Sequence, residues 1–258
     1  MNRIETAFHN KKAFIPFVTA GDPDLEITEN LIYAMAEAGA DLIEIGIPFS
    51  DPVAEGPVIQ EADARALAAG TTTDHIFDMV RKIRKKLDLP LAFMTYVNPI
   101  YTYGTERFLS NCKEVGVDAI IVPDVPYDER EELKPFCLKY GVTLISMIAP
   151  TSNERIKAIA TEAEGFLYCV SSMGVTGIRS EIGANVNQMI EQVKEVKEIP
   201  CAIGFGISTV EQAVSMAQIA DGVIVGSAIV KLVGQYGKEC IPYVTKYVKQ
   251  LKGAINLT

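Results

Sequence analysis

The chain has 258 residues, of which 48 % are hydrophobic and 22 % charged, a balance that supports a large buried core and excludes a disordered chain. Its net charge of −9 excludes a general nucleic-acid binder, which needs a basic footprint. No apolar run opens the sequence and the longest uncharged apolar stretch, Gly222 to Val230, is too short to span a bilayer, so neither a signal peptide nor a membrane segment is expected. The five cysteines, Cys112, Cys137, Cys169, Cys201 and Cys240, are odd in number, form no CxxC pair and lie in apolar segments. They read as reduced thiols of a cytoplasmic protein, and with only His9 and His75 a histidine-rich metal centre is not expected.

Short apolar runs alternate with amphipathic stretches along the whole chain. Strands are predicted at Phe14–Thr19, Leu42–Gly46, Leu91–Tyr96, Ala119–Val122, Leu144–Ile148, Phe166–Ser171, Cys201–Phe205 and Gly222–Val225, each rich in apolar residues and bounded by turn formers. Between them, helices are predicted at Leu25–Glu37, Thr73–Leu87, Thr105–Glu114, Asp128–Tyr140, Asn153–Glu162, Asn187–Val196 and Thr209–Ile219, with Ile241–Lys252 closing the chain. Eight βα units without a GxGxxG fingerprint favour a closed TIM barrel over a doubly wound sheet. Residues 1–258 read as one (β/α)8 domain, of the length typical of that fold, roughly 250 residues.

In such a barrel, chemistry belongs on the loops after the strands. The loop after the second strand, Ile47 to Pro57, carries three prolines and a glycine that preset its path. The loop after the sixth, from Ser172 to about Ala184, holds Gly174, Gly177 and Gly183 and reads as a mobile lid. Period-two alternation in Leu42-Ile43-Glu44-Ile45-Gly46 turns both isoleucines toward the outer helices and Glu44 into the barrel near its mouth. A carboxyl there loses hydration and is poised for proton transfer; the alternative is a structural carboxylate tied into a hydrogen-bond network. Glu55 is the second acid of the mouth, with Asp51 competing for that part.

Gly204-Phe205-Gly206 and Gly226-Ser227-Ala228-Ile229 end the seventh and eighth strands, the latter opening a short helix. Backbone N–H groups and small residues there suit a phosphate, and Thr176-Gly177 on the lid adds donors; the plainer reading is glycines in tight turns. No lysine lies within a predicted strand, which disfavours a Schiff-base aldolase, and no cluster suggests a catalytic metal. Proton transfer by carboxylates on a phosphorylated molecule remains.

Several stretches resemble the tryptophan synthase α family: Pro16 to Pro23, Glu44 to Pro52, Gly174 to Gly177, Gly204 to Gly206 and Gly226 to Lys231. The resemblance runs over almost the whole chain in the same order. It implies a TIM-barrel lyase that cleaves indole-3-glycerol phosphate to indole and glyceraldehyde 3-phosphate. It further implies an αββα assembly with a β subunit that carries the pyridoxal phosphate, so this chain needs no cofactor. Glu44 matches the family's general acid/base and Glu55 the acid that holds the indole N–H. Phe17 and Tyr168 match residues beside the indole, and Gly177, Gly206, Gly226 and Ser227 the phosphate cradle.

Three features depart from the family pattern: Glu55 stands where aspartate is usual, Ser172 where some members carry arginine, and the segment before the first strand is short. The rival readings are a stand-alone indole-glycerol phosphate lyase, a sugar-phosphate isomerase, and a non-catalytic activator of the partner.

Overall fold

The computed structural model describes residues 2–150, 153–170, 179–204 and 206–258. Its strands are β1 (Ala13–Thr19), β2 (Ile43–Gly46), β3 (Leu91–Met94), β4 (Ala119–Ile121), β5 (Thr143–Leu144), β6 (Ser146–Ile148), β7 (Leu167–Val170), β8 (Cys201–Gly204) and β9 (Gly222–Val225). All pair in parallel, in the order β5-β4-β3-β2-β1-β9-β8-β7-β6. The strand predicted at Leu144–Ile148 is therefore two pieces. Its first piece pairs with β4 and its second with β7, so the chain through Ile145 joins the two ends of the sheet and closes a TIM barrel. The Ile145 N–H donates to the Ile120 carbonyl at 2.9 Å across this seam.

The helices are α1 (Arg3–Phe8), α2 (Leu25–Glu37), α3 (Pro57–Ala68), α4 (Thr73–Arg84), α5 (Val97–Tyr103), α6 (Thr105–Val115), α7 (Lys134–Tyr140), α8 (Asn153–Glu162), α9 (Arg179–Lys194), α10 (Val210–Ile219), α11 (Ser227–Tyr236) and α12 (Ile241–Ile255). The helix predicted at Asp128–Tyr140 is a 3-10 segment, Tyr127–Glu132, followed by α7. Pro135 explains the break, because it has no N–H to donate to a preceding turn and is tolerated in a helix only in the first turn. The lid expected from Ser172 to about Ala184 lies outside the described residues up to position 178, and α9 begins at Arg179, well before the predicted Asn187.

Alternation along the strands divides the apolar residues between two cores. Ile43, Ile45, Phe93, Ile120, Ile203 and Val223 face outward under the helices. Ile15, Leu42, Ala92, Ala119, Ile121, Tyr168, Ala202 and Ile224 fill the barrel. Alanines at several inward positions suit an interior too narrow for a large side chain from every strand. At the floor, Ile4 and Ala7 of α1 join the inner core, and Phe8 packs on Phe166 with ring centroids 5.4 Å apart. The short leader is thus a plug of six residues, stabilised by a capping box between Asn2 and Glu5.

Also at the floor, Lys252 of α12 donates to Asp41 at 2.7 Å and to the Lys12 carbonyl at 3.0 Å. Asp41 in turn accepts from the Phe14 N–H at 2.8 Å. These bonds satisfy a buried charge pair and tie the last helix to the start of β1. Among the described residues, no helix is long and apolar enough to cross a membrane.

Candidate active site

At the opposite end of the barrel, a cavity of about 170 Å³ opens between the strand ends. It is far larger than the roughly 10–15 Å³ that one water requires. Phe17, Glu44, Glu55, Tyr168, Gly206, Gly226 and Ser227 all line it. Thr176 and Gly177, expected to complete the phosphate cradle, lie outside the described residues, as do Ser172 and Phe205.

Glu44 sits on β2 level with Phe17 of β1 and Ala92 of β3, its partners in the strand register. Neither neighbour offers a hydrogen bond. The carboxyl is 1 % exposed and its Oε1 has no partner. Burial alone pushes its pKa up to about 8, from an ordinary value of 4.5. The partnerless Oε1 argues against a carboxylate tied into a structural network, which would be held by donors and pulled the other way.

Glu55 reaches the same cavity from the β2–α3 loop. The loop is held at both ends of the acid: the Ala54 N–H donates to the Tyr96 hydroxyl at 2.9 Å, and Gln60 Nε2 donates to the Glu55 carbonyl at 2.9 Å. Phe49 packs on Tyr96 with centroids 5.4 Å apart, and Pro57 starts α3 directly beyond Gly56. Glu55 is half-buried with Oε2 unpartnered, and its pKa is pushed up to about 7 by burial first and then by the charges of Asp63 and Asp124. Asp51 points elsewhere: it is exposed, pairs with Ser50 at 2.5 Å, and lines a separate outer groove.

Tyr168 enters from β7. Its ring depends on Gly204 of β8, where a Cβ would stand 2.4 Å from the tyrosine hydroxyl. Gly46 does the same for Phe17, whose ring would lie 2.5 Å from a Cβ there. Burial and the nearby acids raise the Tyr168 pKa well above its ordinary value, so the phenol stays neutral beside them.

On the far wall, α11 begins at Ser227 with Gly226 as its N-cap and no side-chain cap. The Gly226 carbonyl accepts from the N–H groups of Ile229 and Val230, which leaves the amides of Ser227 and Ala228 at the cavity wall without a partner inside the helix. A helix N-terminus in this state attracts an anion. One cavity therefore holds two raised carboxyls, an apolar slot and an anion-attracting edge. The slot is completed by Met94, Met147, Ile59 and Ile224, none of them singled out from the sequence. The alternation that turns Glu44 inward also places Met94, Met147 and Ile224 inward, whereas Ile59 belongs to α3, a helix the apolar pattern did not reveal.

The buried acid carries a stability signature. In the unfolded chain Glu44 releases its proton near pH 4.5, whereas the fold retains it up to about pH 8. Stability from this group is complete below about pH 4.5 and falls as the pH rises toward 8. Glu44→Gln does not titrate, so its unfolding free energy in urea should gain on wild type by about 3 kcal/mol between pH 4 and pH 7. A difference that stays flat across that range would contradict the assignment.

Comparisons with known proteins bear on the family and the fold. The family model described as tryptophan synthase alpha chain matches residues 5–256. The tryptophan synthase alpha chain of Lacticaseibacillus casei is 47 % identical over 99 % of this chain and 96 % of its own length. That of Halalkalibacterium halodurans is 49 % identical over 93 % of this chain and 91 % of its own. Among solved structures, tryptophan synthase subunit alpha from Legionella pneumophila superposes with a TM-score of 0.90 at 36 % identity, covering 100 % of both chains. A chain of the tryptophan synthase a2b2 complex from Pyrococcus furiosus superposes with a TM-score of 0.87 at 40 % identity, covering 94 % of this chain and 98 % of that one. On sequence and fold together, this chain belongs to the tryptophan synthase alpha chain family.

Proposed function

We propose that the cavity cleaves indole-3-glycerol phosphate to indole and glyceraldehyde 3-phosphate, as a carbon–carbon lyase of the tryptophan synthase α type. The observation that carries this reading is the unpartnered Glu44 carboxyl facing a cavity it shares with Glu55. With its pKa near 8, Glu44 enters the reaction protonated at neutral pH. It donates that proton to carbon 3 of the indole ring and forms the indolenine cation. The resulting Glu44 carboxylate then takes the proton of the glycerol hydroxyl beside the ring. The carbon–carbon bond breaks, its electron pair returns to the ring nitrogen, and the hydroxyl carbon leaves as the aldehyde. Glu44 ends protonated as it began.

Glu55 accepts the indole N–H as a hydrogen bond and balances the positive charge of the indolenine. That part requires it ionised, and a pKa near 7 keeps a sizeable ionised fraction at neutral pH. Its place in the cavity lining supports that part despite the extra methylene relative to aspartate. Phe17 and Tyr168 flank the ring, while Gly206, Gly226, Ser227 and the α11 N-terminus receive the phosphate; the resemblance adds Thr176 and Gly177, which lie outside the described residues.

The partner in this reading is a tryptophan synthase β subunit in an αββα assembly, supported by the likeness to the Pyrococcus furiosus complex. Pyridoxal phosphate belongs to that partner, and this chain uses acid/base chemistry alone. Five buried, unpaired cysteines suit a reducing, cytoplasmic setting.

The test is indole release from indole-3-glycerol phosphate, with and without a β subunit. Glu44→Gln should lower kcat by about 100-fold to 10,000-fold, the range of general acid–base catalysis, while glycerol phosphate still binds. Cleavage near the wild-type rate in that variant would overturn the assignment. Gly226→Val places branched carbon beside the Phe17 ring and the open amides of α11. It should raise KM tenfold or more with little change in fold, whereas an unchanged KM would put the phosphate elsewhere.

A further inference from the structure

Two helices deliver the two ends of the proposed site. The chain runs from Glu55 through Gly56 straight into α3 at Pro57, and Gln60 of that helix donates to the Glu55 carbonyl at 2.9 Å. The anion-attracting edge is the first turn of α11, from Ser227. Both helices thus start at the cavity. Behind it they pack on one another: Ile59 and Ala62 of α3 share a small core with Val230 of α11 and the ring of Phe17. One polar contact holds this arrangement from outside. Arg65, about two turns along α3, donates from Nε and Nη2 to the two carboxylate oxygens of Asp22, at 2.8 Å each. Asp22 is 2 % exposed and lies just past the end of β1, its N–H donating to the Thr19 carbonyl at 3.3 Å. The same guanidinium lies against α11 at Gly234, where a Cβ would stand 3.0 Å from Nη2 and 3.4 Å from Cζ. Glycine weakens a helix interior, and here it admits a fork already fixed by two hydrogen bonds. At about 1.5 Å per residue, Arg65 is about 12 Å behind the start of α3 and Gly234 about 10.5 Å behind the start of α11. The contact therefore lies at nearly equal depth on both helices, and Asp22 ties it to the barrel.

We propose that Arg65 is a positioning residue: its fork, held by Asp22 and seated on Gly234, fixes the spacing of α3 and α11 and so the span between Glu55 and the phosphate edge. A molecule with an indole at one end and a phosphate at the other binds as two fragments joined by a short linker. Joining them raises affinity only if the two sites stand at the span of that linker. Arg65 lies outside the lining of the cavity, so its loss leaves each fragment its own site and mismatches the pair. This rests on the reading of the cavity proposed above and deepens it, since the spacing of two helices then selects the three-carbon chain between ring and phosphate.

The test measures the affinity of the full-length protein for three probes by calorimetry: indole, glycerol 3-phosphate, and indole-3-propyl phosphate, which joins the two ends but lacks the hydroxyls that cleavage needs. Arg65→Lys keeps the charge and loses the fork. Gly234→Ala leaves Arg65 and Asp22 in place and presses on the fork from α11, in a substitution that favours the helix itself. In both variants the linked probe should weaken about tenfold, while indole and glycerol 3-phosphate stay within about twofold of wild type. In indole release, kcat/KM of Arg65→Lys should fall by a similar factor. A linked probe that keeps its wild-type affinity in either variant overturns the proposal. So does equal weakening of all three probes, which would make Arg65 a packing residue only, and so does wild-type protein that binds the linked probe no tighter than its fragments. Wild-type protein that releases no indole, yet binds the linked probe and loses that affinity alone in the variants, would refute the reaction and leave the clamp standing.

Discussion

The account depends on one constraint: a carboxyl placed in an apolar layer of a barrel, its Oε1 without a donor among the described residues. Glu44 stands between Phe17 and Ala92 in the strand register, where a hydrocarbon side chain would be expected. In the proposed reaction the penalty for ionising it there is the source of its reactivity, because a carboxyl that keeps its proton at neutral pH can give that proton away. A hydrogen-bond donor there would favour the carboxylate, lower its pKa and leave it no proton to give at neutral pH. The rest of the structure is arranged around leaving it without such a donor. Gly46 and Gly204 make space for the Phe17 and Tyr168 rings, and aromatic carbon and thioether form much of the cavity wall.

Holding such a group in place requires a stiff frame, and the frame is built where no chemistry occurs. The ring of strands closes through Ile145, α1 plugs the floor, and the Asp41–Lys252 pair fastens the last helix beneath β1. At the mouth, the β2–α3 loop is restrained by Tyr96, Gln60 and Pro57 rather than left free. Glu55 therefore arrives at the cavity on a defined path. Displacement of a reacting group by about 1 Å can cost around 100-fold in rate, so the bracing of this loop is part of the site.

Much of this was legible in the sequence, and the misses have identifiable causes. Two isoleucines around Glu44 settled its direction before any coordinate, and α2 and α8 begin and end at the predicted residues. The α3 helix was missed because its buried stripe is Ile59, Ala62, Asp63 and Ala66, too small and too polar to register as an apolar face. In α5, Pro99 argues against a helix, but it falls in the first turn, where its missing N–H has no intrahelical partner to lose. The Asp22–Arg65 pair was invisible for a different reason: it joins the loop after β1 to α3, and only the pairing of β1 with β2 brings the two together.

The most direct test of the central claim is the ionisation of Glu44 itself, in the isolated chain without substrate. Infrared titration of the carboxylic acid C=O stretch, with the Glu44 band identified by its loss in Glu44→Gln, reads the proton on that group alone. The account predicts a band that persists through neutral pH and is half lost at about pH 8. A Glu44 band that disappears near pH 4.5 would mean an ordinary carboxylate with an unseen partner. The argument from burial to acid catalysis would then fail at its first step.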